Sequence, residues 1–249
     1  MKAIPIFYYH SISGQGPETL ALEKFQLHLD ALKTQSYKTI RFSDLLTGNY
    51  NRADKNAVLS FDDGLLDNYE QALPLITDYG YVGTFFVVPG FDRITRWVHP
   101  RKRKWSNTKI DGYTIPYKNM NKAHRRELLN AGMEIGSHSF THSKLSQIDP
   151  KFLSYEIISS KQFLEDELGT SIKTFCYPNG RYNTTVCNMV KEAGYLGATT
   201  TIPGYYNPNK SPFKTNRFLV ENPYFFNEVL KGKGLSAFAY ISSKLQGFF

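Results

Sequence analysis

Cysteine is scarce in this 249-residue chain: Cys176 and Cys187 are the only two. Two are too few for a disulfide scaffold and are open to reading as one bridge or two thiols; we read them as reduced. No apolar run approaches the roughly 18 residues of a membrane-spanning helix, since the most hydrophobic stretches, such as 84–88, are strand-length and end at Pro or Gly. The amino terminus has Lys2, then Pro5 and only a short Ile-Phe-Tyr-Tyr run, too brief for a secretory leader. The expectation is a cytoplasmic protein, peripheral at most to the inner face of the membrane. Internal repeats, low-complexity tracts and obvious linkers are also missing, which excludes solenoids and wholesale disorder.

Acidic residues are outnumbered, 22 against 30 Lys and Arg, for a net charge of +8. Such an excess points to an anionic partner: a nucleic acid, a phospholipid surface or a phosphorylated substrate. Much of it lies at 93–109, where Arg93, Arg96, Arg101, Lys102, Arg103, Lys104 and Lys109 are interleaved with Trp97, His99 and Trp105. The same pattern suits a solvated surface loop. The aromatic residues form no recognisable base-stacking motif, so no nucleic-acid partner is expected.

What is present is alternation. Apolar, β-rich runs at 3–9, 57–61, 83–88, 133–138, 172–177, 195–200 and 217–220 are separated by segments with apolar residues at three- and four-residue steps, at 22–32, 66–79, 122–131, 152–168 and 184–193. That succession predicts one α/β domain over 1–249, with a basic insertion near 91–118 and a helical tail near 224–249. Leu235, Phe238, Ile241, Leu245 and Phe248 recur at helical steps in the tail, near Lys231, Lys233 and Lys244. Such a helix suits either a membrane surface or packing on the domain. Parallel strands deliver their carboxyl ends to one rim, so polar residues just after strands are the candidates for chemistry.

Three strand ends carry such residues. Ser60-Phe61-Asp62-Asp63-Gly64 places two carboxylates side by side, which is costly unless a cation or hydrogen bonds compensate; alone it also reads as a turn with a helix cap. His138 and His142, four apart, lie on the same side of a helical turn and can reach one ion. With one carboxylate they form a His₂-carboxylate set that leaves positions open for water and substrate. His10 ends the first apolar run, and Phe175-Cys176-Tyr177-Pro178-Asn179-Gly180 ends another with a turn able to aim backbone N–H groups into a cleft.

Together these blocks resemble the polysaccharide deacetylases of carbohydrate esterase family 4, the NodB-homology domain, over residues 3–221. The block around Asp62 and Asp63 is similar to the family's first motif, 138–142 to its second and 175–180 to a variant of its third. The resemblance implies a distorted seven-stranded (β/α) barrel with one divalent ion held by Asp63, His138 and His142, and with Asp62 as general base. Zinc leads, with nickel, cobalt or iron also suited to imidazole and carboxylate. No histidine follows His142 to serve as the late-domain catalytic acid. His10 takes that role by resemblance to the branch containing poly-N-acetylglucosamine deacetylases. Cys176 stands where the third motif carries an Arg that restrains the base, and Asn179 where it carries a Tyr. Arg217 is the candidate to reach Asp62 from elsewhere on the rim, while Tyr177, Pro178 and Asn179 are the candidate oxyanion and substrate turn. The implied reaction is removal of acetyl from an N-acetylated saccharide. The missing leader favours a phosphate- or lipid-linked sugar, with Trp97 and Trp105 as substrate contacts. A non-sugar amidohydrolase of the same fold and a non-catalytic carbohydrate- or nucleic-acid-binding module are the competing readings.

Overall fold

Each apolar run contains a strand, and every ladder is parallel. The computed structural model describes residues 3–13, 19–91 and 118–239. Within them the strands are β1 (Ile6–Tyr9), β2 (Tyr37–Thr39), β3 (Lys55–Phe61), β4 (Thr84–Val87), β5 (Glu134–Ser137), β6 (Thr174–Cys176), β7 (Gly197–Thr199) and β8 (Phe218–Leu219). Their order is β7-β6-β5-β4-β3-β1-β8, with β2 added on β3. The register pairs Tyr9 with Phe61 and Val87 with Ser137. The residues that follow these strands, His10, Asp62 and His138, therefore meet at one rim. Seven strands along a curved path, wrapped by helices, make the distorted (β/α) barrel.

The wrapping helices are α1 (Leu22–Thr34), α2 (Phe42–Thr47), α3 (Leu73–Asp78), α4 (Lys122–Asn130), α5 (Ser160–Leu168), α6 (Thr184–Glu192) and α7 (Pro223–Leu230). Asparagine side chains accept the first free amides of three of them: Asn121 from His124, Asn183 from Val186 and Asn222 from Phe225. Side chains alternating along the strands divide between two apolar clusters. Phe7, Leu59, Phe61, Phe85 and Val87 pack with Phe25, Leu29 and Ile76 of the helices, whereas Ile6, Val58, Phe86 and Cys176 pack with Ile40, Phe42 and Leu45. Phe226 of α7 is stacked between Phe7 at 4.3 Å and His28 at 4.2 Å, tying α1 and α7 to β1. Burying such a ring contributes about 1.5–3 kcal/mol.

The helices expected at 66–79 and 152–168 are not continuous α-helices. Each opens with a wider π turn, Asn68–Ala72 and Tyr155–Ser159, before α3 and α5, because the chain leaving each motif must first turn its polar groups toward the rim. β2 and α2 were not expected; they are short, and one residue of β2 is buried. The tail is interrupted: α7 ends at Leu230, Gly232 takes a left-handed φ of 80°, and a second helix covers 234–239 with Leu235 and Phe238 exposed. The basic stretch at 93–109, with Trp97 and Trp105, lies outside the described residues, as do Ile241, Lys244, Leu245 and Phe248. Among the described residues no helix is long and apolar enough to cross a membrane.

Candidate active site

Asp62 follows β3 and is buried, as is Arg217, which sits just before β8 with no exposed surface. The guanidinium meets the carboxylate through both forks, Nη1 to Oδ1 at 2.7 Å and Nη2 to Oδ2 at 2.8 Å. Its other donors go to Thr200 O at 3.0 Å, Ser60 Oγ at 3.1 Å and Cys176 Sγ at 3.1 Å, and its plane lies 4.4 Å from the Tyr8 ring centre. The small Cys176 side chain leaves room for Arg217 to arrive from β8. Burial alone pushes the Asp62 carboxyl up, but the charge and hydrogen bonds of Arg217, helped by His138 and His10, outweigh it and hold the group well below the usual carboxylate range.

Asp63 adopts a left-handed φ of 77°, which turns its side chain away from that of Asp62. Its Oδ1 is buried, lies 3.4 Å from both His138 Nε2 and His142 Nε2, and accepts no hydrogen bond. A buried carboxylate oxygen left unpaired is costly, whereas an oxygen between two imidazole nitrogens, with all three atoms within 4.8 Å of one another, has the donor set of a His₂-carboxylate cation site. The residues fit a divalent ion. Asp62, His138 and Cys176 form a second cluster of the same size, but both Asp62 oxygens are occupied by Arg217, so the first cluster is the better cation site.

The two histidines do not lie on a helical turn, contrary to the reading from their spacing. They lie on a loop in which Ser139 and His142 have φ of 62° and 59°, so the i, i+4 geometry is replaced by a folded-back chain. Glu156, buried in the π turn before α5, accepts from the Phe140 amide at 3.0 Å, the Thr141 amide at 2.9 Å and the Thr141 hydroxyl. Ser139 Oγ accepts from the His142 amide at 3.0 Å, and Gly90 donates to Phe140 O at 2.8 Å. His138 Nδ1 donates to Cys176 O at 2.8 Å, which leaves the Nε2 lone pair for an ion. Burial pushes the His142 imidazole down to about 4, so it is neutral and able to ligate at neutral pH.

His10 stands at the end of β1, near enough that its charge lowers the pKa of both Asp62 and Asp63. Its Nδ1 is buried and has no hydrogen-bond partner. In the turn after β6, Pro178 is buried, Asn179 is exposed with φ of 55°, and Gly180 N closes on Tyr177 O at 2.8 Å. The Tyr177 ring lies in the core against Phe175 and Tyr182, and its amide donates to Thr199 O at 3.2 Å. Only its carbonyl side faces the turn. Both cysteines are free thiols. Glu156 was not singled out from the sequence, which offers no signal for it beyond an acidic residue in a helical pattern.

A family model described as polysaccharide deacetylase matches residues 49–198. The Bacillus subtilis protein YxkH, described as a polysaccharide deacetylase, is 26% identical over 221 residues, covering 87% of this chain and 71% of its own. The poly-β-1,6-N-acetyl-D-glucosamine N-deacetylase of Staphylococcus aureus is 20% identical over 242 residues, covering 92% and 77%. Among solved structures, the Streptococcus pyogenes deacetylase PplD in complex with acetate shares the fold with a TM-score of 0.75 at 24% identity, over 93% of this chain and 97% of that one.

Proposed function

Because this chain belongs to the polysaccharide deacetylase family, we propose that it hydrolyses the acetamido group of an N-acetylated, glucosamine-type glycan, with a divalent ion held by Asp63, His138 and His142. One observation carries the reading: a carboxylate locked by a buried guanidinium, Asp62 on Arg217, stands beside an unpaired carboxylate oxygen set between two imidazoles. The chemistry such an ion supplies is polarisation of a carbonyl and acidification of water, and zinc is the first choice for this donor set. Asp62, kept ionised by Arg217, takes the proton of the attacking water. His10 returns a proton to the departing nitrogen, so that the leaving group is a neutral amine. In the turn at 178–180 Pro178 has no N–H and Gly180 N–H is held by Tyr177 O, so the Asn179 main-chain N–H is the donor assigned to the oxygen on which negative charge develops. The glucosamine-type substrate follows the Staphylococcus aureus relative, whose name gives that polymer and which aligns over 92% of this chain. The phosphate- or lipid-linked alternative leans on charges at 93–109, outside the described residues.

Purified protein reconstituted with single divalent ions and offered N-acetylglucosamine oligomers tests the reading. Acetate and free amine should appear in equal amounts. Release of amine from a ring amide with no acetate from any acetamido sugar would replace it with a non-sugar amidohydrolase.

A further inference from the structure

The ring of His10 has no hydrogen bond at Nδ1 to orient it, yet a proton donor must be held in register with the base to about half an ångström. Something other than the imidazole must position it. The backbone supplies the answer. Asn68, fully buried at the first position of the π turn, donates from Nδ2 to His10 O at 2.7 Å and to Asp67 Oδ1 at 3.1 Å, while its own Oδ1 has no partner. The amide is thus turned with its donors toward His10 and Asp67. Asp67 in turn accepts from the Ser11 hydroxyl. Two consecutive side chains therefore grip the chain at His10 and Ser11. They lie on the same short segment, 62–68, that carries Asp62 and Asp63. A π turn at this place is a feature that recurs at functional sites.

We infer that Asp67 and Asn68 are positioning residues that fix the catalytic-acid loop relative to the base, so that segment 62–68 sets the separation of proton acceptor and proton donor. The inference rests on the acid role of His10 proposed above. It follows that losing the clamp impairs the step that needs the acid and spares the rest of the site.

The test uses two substrates. An acetamido sugar needs a proton on its leaving nitrogen; an aryl acetate expels a phenolate that needs none. Asn68→Ala, Asn68→Asp and Asp67→Asn should lower kcat on the acetamido sugar by about 10- to 100-fold, a part of the 10²–10⁴ that general acid catalysis supplies. KM, bound metal and aryl acetate turnover should stay within about threefold. His10→Ala should show the same selectivity with a larger loss. A parallel fall on both substrates makes the residues merely structural and overturns the inference. Wild-type acetamide turnover in all three clamp variants, with His10→Ala selectively impaired, overturns the clamp alone. Full acetamide turnover in His10→Ala removes the acid reading and the clamp with it. Asn68→Asp keeps the side-chain volume and reverses the donor, so it carries the test if Asn68→Ala does not fold.

Discussion

Replacing Arg217 by Gln removes the only cation in contact with Asp62 among the described residues and leaves a carboxylate of 2% exposure behind it. Breaking one side of such a buried pair costs about 3–5 kcal/mol, because the remaining charge has lost its ion-pair partner and is shielded from water. The carboxylate escapes part of that cost by taking a proton. At about 1.4 kcal/mol per pH unit, 3–5 kcal/mol moves its ionisation up by about two to three and a half pH units. The sign follows from the causes: burial is the largest and raises this carboxyl, Arg217 is the main one lowering it, so without the guanidinium burial outweighs what His138 and His10 still supply. A base that must be ionised to accept a proton then fails as pH falls. The acid limb of kcat/KM should rise by about two to three and a half pH units from its wild-type position below the usual carboxylate range, and the plateau should drop by about 10²–10⁴. Arg217→Lys retains the charge but not the bidentate fork, so it should keep the low acid limb and lose plateau activity. Stopped assays between about pH 3 and 9, with urea unfolding at each pH to correct for folded fraction, read both quantities. An Arg217→Gln enzyme that stays folded, with an unmoved acid limb and kcat/KM within about twofold of wild type, would refute the reasoning.

Three further outcomes follow. Dialysis against a chelator should abolish acetate release and a single divalent ion should restore it; activity that survives with metal content below about a tenth of an equivalent would exclude the ion from the reaction. Glu156→Gln halves the carboxylate's capacity to accept from the 140–141 amides and hydroxyl, and should weaken metal affinity by about 10- to 100-fold while kcat recovers at saturating ion. His28, buried against Phe226, is pushed by desolvation from 6.5 down to about 3. It is neutral when folded, so its contribution is complete above pH 6.5 and is lost as pH falls toward 3, at up to about 1.4 kcal/mol per pH unit. A His28→Leu variant should show a correspondingly shallower loss of unfolding free energy between about pH 6 and 4, and parallel slopes would show that His28 does not titrate on unfolding.

The strands were legible because a parallel sheet buries both faces, and both-faced burial writes itself as a continuous apolar run such as Val58-Leu59 and Phe85-Phe86-Val87. The π turns were not. Their apolar residues keep a roughly helical spacing, and the extra residue per turn is chosen by tertiary contacts, Asn68 with the His10 loop and Glu156 with the loop at 139–142. β2 and α2 escaped because three and six residues are too few for a period to show. Arg217 was a candidate only through the resemblance, in which Cys176 stands where the third motif carries its arginine; the structure pairs it with Asp62.

The histidine pair is the instructive misreading. Spacing of four is a helical signature only if the intervening residues are helical, and here Ser139 and His142 are left-handed. Of the five non-glycine residues with positive φ among those described, Asp63, Ser139, His142 and Asn179 are at the candidate site and only Ser36 is elsewhere. Each such conformation costs about 1–3 kcal/mol and persists only where its surroundings over-determine it. Glu156, Ser139 Oγ and the Gly90 amide supply that determination around the histidine loop. An α-helix would place both imidazoles on one cylinder facing outward, whereas the strained loop turns them inward onto Asp63 Oδ1 at equal distances of 3.4 Å. The strain is therefore where the candidate ligand geometry is made, and the bonds from Glu156 and Gly90 that sustain it are distant in sequence, which is why residue types and spacing point to the candidate ligands but not to the way they are held.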